Sequence, residues 1–161
     1  MPSEAAKVLL ILNRTDNTVK PLYTAEALAS GEGRDGTART NDGKLEVNLA
    51  SPLELGGSGQ GTNPEQLFAA GYAACFHSAL RLVARKERAD LTDSAVAAKV
   101  HLGQLDGGAG FGLAAELEIA LPALDLATAE ELVAKAHEIC PYSNATRGNI
   151  SVDIKILEYA A

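Results

Sequence analysis

The residues of this 161-residue chain best suited to chemistry are its two cysteines, Cys75 and Cys140. Cys75 lies in a run of small residues of helical character, Ala69-Ala70-Gly71-Tyr72-Ala73-Ala74-Cys75-Phe76. Cys140 lies at Ile139-Cys140-Pro141-Tyr142, where a helix is expected to stop. The thiolate is the nucleophilic form, and free cysteine titrates near ~8.5, so a reactive cysteine needs positive charge near its sulfur. A lone buried cysteine is usually an inert small hydrophobe. Two in a chain with no recognisable secretory signal read better as redox or catalytic groups than as a structural disulfide.

Two charged residues bear on that requirement. Arg34, in Gly33-Arg34-Asp35-Gly36, is a permanent cation in a tight turn. It is either a plain turn residue or a source of charge for a thiolate. Glu65 opens the helix that carries Cys75, and a favourable interaction with the positive helix end already explains it. Ten residues separate Glu65 from Cys75, roughly 15 Å along a straight helix at ~1.5 Å per residue. They cannot touch within one uninterrupted helix. A site that uses both needs a broken helix or a second subunit.

Other candidates carry less. His77, His101 and His137 show no metal-ligand spacing with each other or with the cysteines. Gly57-Ser58-Gly59-Gln60-Gly61 lacks the spacing of a dinucleotide loop and the lysine of a phosphate loop. Cys140-Pro141-Tyr142-Ser143 resembles a glutaredoxin active site, but it is expected to close a helix near the chain end and has no second cysteine three residues on.

Composition narrows the class. Apolar residues make up 47% and charged residues 22%, as in ordinary soluble globular domains. The formal net charge of −7 argues against non-specific binding to nucleic acid or anionic membranes. The apolar run Val8–Leu12 is too short to span a bilayer and poorly flanked for a signal peptide, so a cytoplasmic location is expected. Aromatics are only 4%, so Ala, Leu, Val and Ile must pack the core.

The elements that must position the cysteines follow from pattern. Residues 1–18 read as an N-terminal extension and 19–161 as one domain. Short strands punctuated by glycine are expected over 22–50, followed by a glycine-rich link at 56–61. Asn63-Pro64-Glu65-Gln66 is a strong helix start, and the helix is expected to reach about Arg88. Its face Leu67, Gly71, Ala74, Ser78, Leu82 is mostly small, so another backbone can approach closely. Val96–Leu102 and Leu113–Leu121 alternate around the turn Asp106–Gly110 as a hairpin. Thr128-Ala129-Glu130-Glu131 is expected to cap a second helix ending near Cys140, and Ile150–Ile156 to form a last strand. The order implies an α+β fold.

Taken together, Gly33-Arg34-Asp35-Gly36, Gly61 to Phe76 and Cys140 to Asn149 resemble the organic hydroperoxide resistance proteins, the Ohr branch of the Ohr/OsmC superfamily. The resemblance spans roughly residues 21–158; the extension before Leu22 departs from it. It implies antiparallel sheets around a long central helix, in an intertwined homodimer with sites at the subunit interface. It implies a thiol peroxidase of the oxidative-stress response, acting on organic hydroperoxides without metal or prosthetic group. Residue by residue, Cys75 matches the peroxidatic cysteine, Cys140 the resolving cysteine, and Arg34 and Glu65 the charged pair that activates the thiolate. The implied reductant is a dithiol, such as the dihydrolipoyl group of a lipoylated protein. Phe68, Tyr72 and Phe76 are candidates for an apolar substrate pocket or for plain core packing. The alternatives are an OsmC-branch peroxidase or a non-catalytic thiol sensor.

Overall fold

Helix α1, Pro64–Glu87, organises the chain. Its start is fixed locally: the Asn63 side chain accepts from the Gln66 N–H at 2.9 Å, and the Gln66 side chain accepts from the Asn63 N–H at 3.1 Å. With Pro64 in the first turn, this satisfies amides that would otherwise be orphaned. The computed structural model describes residues 18–157, so the apolar run at 8–12 lies outside the described residues.

Two three-stranded sheets flank this helix in sequence. The first joins β1 (Ala27–Ser30), β2 (Thr37–Thr40) and β3 (Glu46–Asn48), all antiparallel. The second joins β4 (Ala95–Gln104), β5 (Phe111–Ala120) and β6 (Val152–Leu157). The hairpin β4–β5 is antiparallel, but β6 runs parallel to β5, with Val152 opposite Ala115. This corrects the expectation of purely antiparallel sheets. Alternation reports which face a strand buries but not its direction; here helices α2 (Leu126–Ile139) and α3 (Pro141–Thr146) carry the chain back before β6 begins.

The core lies between α1, α2 and the second sheet. Tyr72, Phe76, Leu80 and Val83 of α1 meet Leu117 and Ile119 of β5 and Leu132, Val133 and Ala136 of α2. Helix α1 is long and apolar enough to cross a membrane by length and composition alone, but in this fold its apolar face is a core face. The small-residue face stays largely open within the single chain. Ala74, Ser78 and Leu82 are exposed in the single chain. The first sheet is barer still: none of its strand residues is buried, and it makes no substantial contact with any helix or with the second sheet.

Two further differences concern helix ends. The cap of α2 is Asp125, not Thr128; its carboxylate accepts from both the N–H and the hydroxyl of Thr128. Cys140 not only closes α2 but also opens α3, with Pro141 in the first turn.

Because Leu117 is fully buried at the centre of this core, Leu117→Ala is expected to cost about 2–5 kcal/mol. Denaturant melts that moved by less than ~1 kcal/mol would place the core elsewhere.

Candidate active site

The two cysteines meet. Cys75, half-buried in α1, and Cys140, fully buried at the α2–α3 junction, are free thiols with their sulfurs 3.7 Å apart. Helix α3 holds Cys140 there and brings the Tyr142 backbone near Cys75. Burial pushes the Cys75 thiol above its ordinary pKa; the Tyr142 amide pulls it the other way, and the neighbouring Cys140 adds to the rise. Within one chain, therefore, Cys75 is not an activated thiolate.

Aromatic packing seats α3 on α1. The Tyr142 ring lies 5.8 Å from Phe68 and 5.6 Å from Tyr72, centroid to centroid. It lies directly over Gly71, where an added Cβ would come within 2.6 Å of its hydroxyl. What the small face admits at this point is a tyrosine ring rather than a backbone.

Arg34 and Glu65 also meet, 31 positions apart in sequence. The Leu49 N–H donates to the Gly36 carbonyl, and the Thr62 N–H to that of Asn48, so β3 ties the Arg34 turn to the start of α1. Gly36 is required here, since a Cβ would stand 2.1 Å from the Ser30 carbonyl oxygen. The ion pair is bidentate, Nη1–Oε2 2.8 Å and Nη2–Oε1 2.6 Å. The hydrogen bonds from Arg34 hold the Glu65 carboxyl below the usual carboxylate range, and those to Glu65 raise Arg34. The pair thus stays ionised at neutral pH, with the guanidinium side chain still 39% exposed.

The four residues picked from sequence form two pairs rather than one cluster. Helix α1 is unbroken from Pro64 to Glu87, so Glu65 stays some 15 Å along the axis from Cys75. Of the apolar candidates, Tyr72 and Phe76 are fully buried core residues. Phe68 instead lines an open groove of about 740 Å³ with Tyr142, Leu105, Phe111, Leu113 and Ile150. Sequence reasoning missed the Tyr142 amide and the buried Ser143; a proline directly after Cys140 was the available signal, since it marks helix starts as well as stops. Among the described residues, no group of three or more His, Cys, Asp or Glu side chains is placed to hold a metal ion.

Residues 57–155 match a family model described as OsmC-like protein. The chain is 52% identical over 139 residues to the organic hydroperoxide resistance protein of Xanthomonas axonopodis pv. citri, covering 85% of this chain and 96% of that one. The crystal structure of an organic hydroperoxide resistance protein from Elizabethkingia anophelis, 46% identical, superposes with a TM-score of 0.82 over 88% of this chain and 100% of that one. That of OhrB from Bacillus subtilis, 42% identical, gives 0.77 over 85% and 100%. The α+β architecture, the paired cysteines and similarity along almost the whole length of these relatives agree: the chain belongs to the OsmC-like family, in its organic hydroperoxide resistance branch.

Proposed function

We propose that this protein is a cysteine-based peroxidase that reduces organic hydroperoxides to alcohols, working as a homodimer. The observation that carries the reading is the 3.7 Å contact between a half-buried and a fully buried free thiol. The Cys75 thiolate attacks the terminal peroxide oxygen; an S–O bond forms, the O–O bond breaks, and the alkoxide leaves and takes up a proton. Cys140 then attacks the Cys75 sulfenic acid, forming the disulfide and releasing water. A dithiol, such as a dihydrolipoyl group on a lipoylated protein, resets the pair by exchange. No metal or prosthetic group takes part. Cycling thiols suit a reducing compartment, and the cytoplasm is the location we infer.

A second copy supplies what one chain lacks. Cys75 needs a cation; Arg34, oriented by Glu65, is ionised and partly open but lies at the far end of α1. An antiparallel neighbour would bring its Arg34–Glu65 pair to Cys75. The exposed small face of α1 and the unpacked first sheet are surfaces such a neighbour can cover. There Arg34 favours the thiolate before attack and the developing alkoxide during it. The groove lined by Phe68 and Tyr142 favours hydroperoxides with an apolar tail over hydrogen peroxide.

Steady-state consumption of cumene hydroperoxide with dihydrolipoamide should far exceed that of hydrogen peroxide. Cys75→Ser should abolish it, and Cys140→Ser should leave one oxidation followed by conversion of Cys75 to the sulfinic acid; appreciable turnover by Cys75→Ser sinks the assignment. Light scattering at micromolar concentration should return twice the chain mass. Arg34→Ala should move the midpoint of Cys75 alkylation to higher pH, because the cation favours the charged form, and slow neutral-pH turnover by about tenfold or more. An unchanged alkylation curve would remove Arg34 from the site.

A further inference from the structure

A buried polar cluster outside the reacting atoms joins all three helices at one side chain. Ser143 is fully buried, and its hydroxyl lies 3.0 Å from the Tyr72 hydroxyl of α1 and 2.9 Å from Nδ1 of His137 in the last turn of α2. Thr146 backs the cluster, its hydroxyl 3.3 Å from that of Tyr72 and donating to the Tyr142 carbonyl at 2.9 Å. Arg147 donates to the His137 carbonyl at 2.6 Å, tying the far end of α3 to α2. The proton count closes. Burial and the nearby Arg147 favour neutral His137, with Glu138 opposing. Tyr72 can then donate to Ser143, and Ser143 to Nδ1. No buried side-chain polar atom among the described residues is left without a partner.

The spacing ties this cluster to the sulfurs. Cys75 follows Tyr72 by three residues in α1, Cys140 follows His137 by three, and Ser143 follows Cys140 by three. Every segment that carries a sulfur is therefore pinned one helical turn away at the same hydroxyl. Forming the disulfide requires the 3.7 Å sulfur contact to close to about 2.05 Å, and that approach depends on how α3 sits against α1. A core that needed only filling would take an apolar side chain here without the cost of burying three hydroxyls.

We propose that Ser143, anchored by Tyr72 and His137, is the positioning residue for the resolving step, setting how fast Cys140 captures the Cys75 sulfenic acid. This rests on the peroxidase reading above. The sulfenic acid has two fates. Attack by Cys140 gives the disulfide and water; a second hydroperoxide gives the sulfinic acid, with its alcohol leaving as the O–O bond breaks. Both branches start from one intermediate, so their ratio is independent of the rate of the first oxidation and of the fraction of protein folded.

The test titrates reduced protein with cumene hydroperoxide and reads disulfide and sulfinic acid by intact mass. The quantity scored is the hydroperoxide concentration at which the two products are equal. It should fall by about tenfold in Ser143→Ala, and by about threefold in Tyr72→Phe, which removes one hydroxyl and keeps the ring. Tyr72→Phe serves if Ser143→Ala does not fold. Equal-product concentrations matching wild type in either folded variant overturn the positioning role alone. Wild-type protein that forms no Cys75–Cys140 disulfide overturns the peroxidase reading and this inference with it.

Discussion

The continuity of α1 is the constraint on which the rest of the site depends. The capping box at Asn63 fixes where the helix begins, and its continuity to Glu87 fixes how far Glu65 stands from Cys75. At ~1.5 Å per residue the charged pair and the nucleophile are separated by some 15 Å within one chain. The single chain consequently holds a thiol that burial disfavours as an anion, and a guanidinium whose nearest anion is Glu65. On the proposed reading, reactivity is tied to assembly. An unassembled chain carries an unactivated cysteine, and pairing brings cation and sulfur together without any bend in the helix.

Burial also divides the labour between the two cysteines. Cys140 is sealed, so on the proposed reading a hydroperoxide arriving from solution meets Cys75 first. On that reading the 3.7 Å between the sulfurs also favours attack by Cys140 over that of a second hydroperoxide. The Tyr142 amide, which favours the charged form of Cys75, belongs to the helix whose cap is Cys140. Cys140 and the Tyr142 backbone are thus set against Cys75 of α1 by one short element resting on Gly71 and Phe68.

What could be read from sequence was what local chemistry determines. The Asn63-Pro64-Glu65-Gln66 start was legible because its hydrogen bonds close within four residues. So was the hairpin, whose alternation and glycine turn point the same way. The start of α2 was misplaced because Thr128 can cap a helix, yet it is also the residue Asp125 caps, the carboxylate accepting hydrogen bonds from both its N–H and its hydroxyl. Helix α3 was missed because a six-residue segment beginning with Pro141 has little propensity of its own. It is held by Tyr72, His137 and the aromatic contacts of Tyr142, all tertiary. The direction of β6 was hidden for the same reason. Cys75, Cys140, Arg34 and Glu65 were legible as chemistry-bearing residues, and the ten-residue spacing already kept Glu65 from Cys75 within an unbroken helix; which of them meet is a tertiary fact that only the fold supplies.

The first sheet carries the argument for a partner beyond catalysis. This three-stranded sheet, with no buried strand residue, has nothing among the described residues packed on its Ala29, Ala38 and Val47 face, and such sheets are marginal unless something packs on them. Around it and along α1, Leu28, Leu53, Leu55 and Leu82 are exposed in the single chain. Scattered apolar residues on a surface are ordinary, but here they accompany an unpacked sheet and the open small face of the central helix. The Arg34 turn connects β1 to β2 in this same sheet. On the proposed reading, covering the sheet with a second copy stabilises the turn that holds the cation, and the contact that would complete the site would also complete the fold. Folding of the N-terminal half and activation of Cys75 would then be one event.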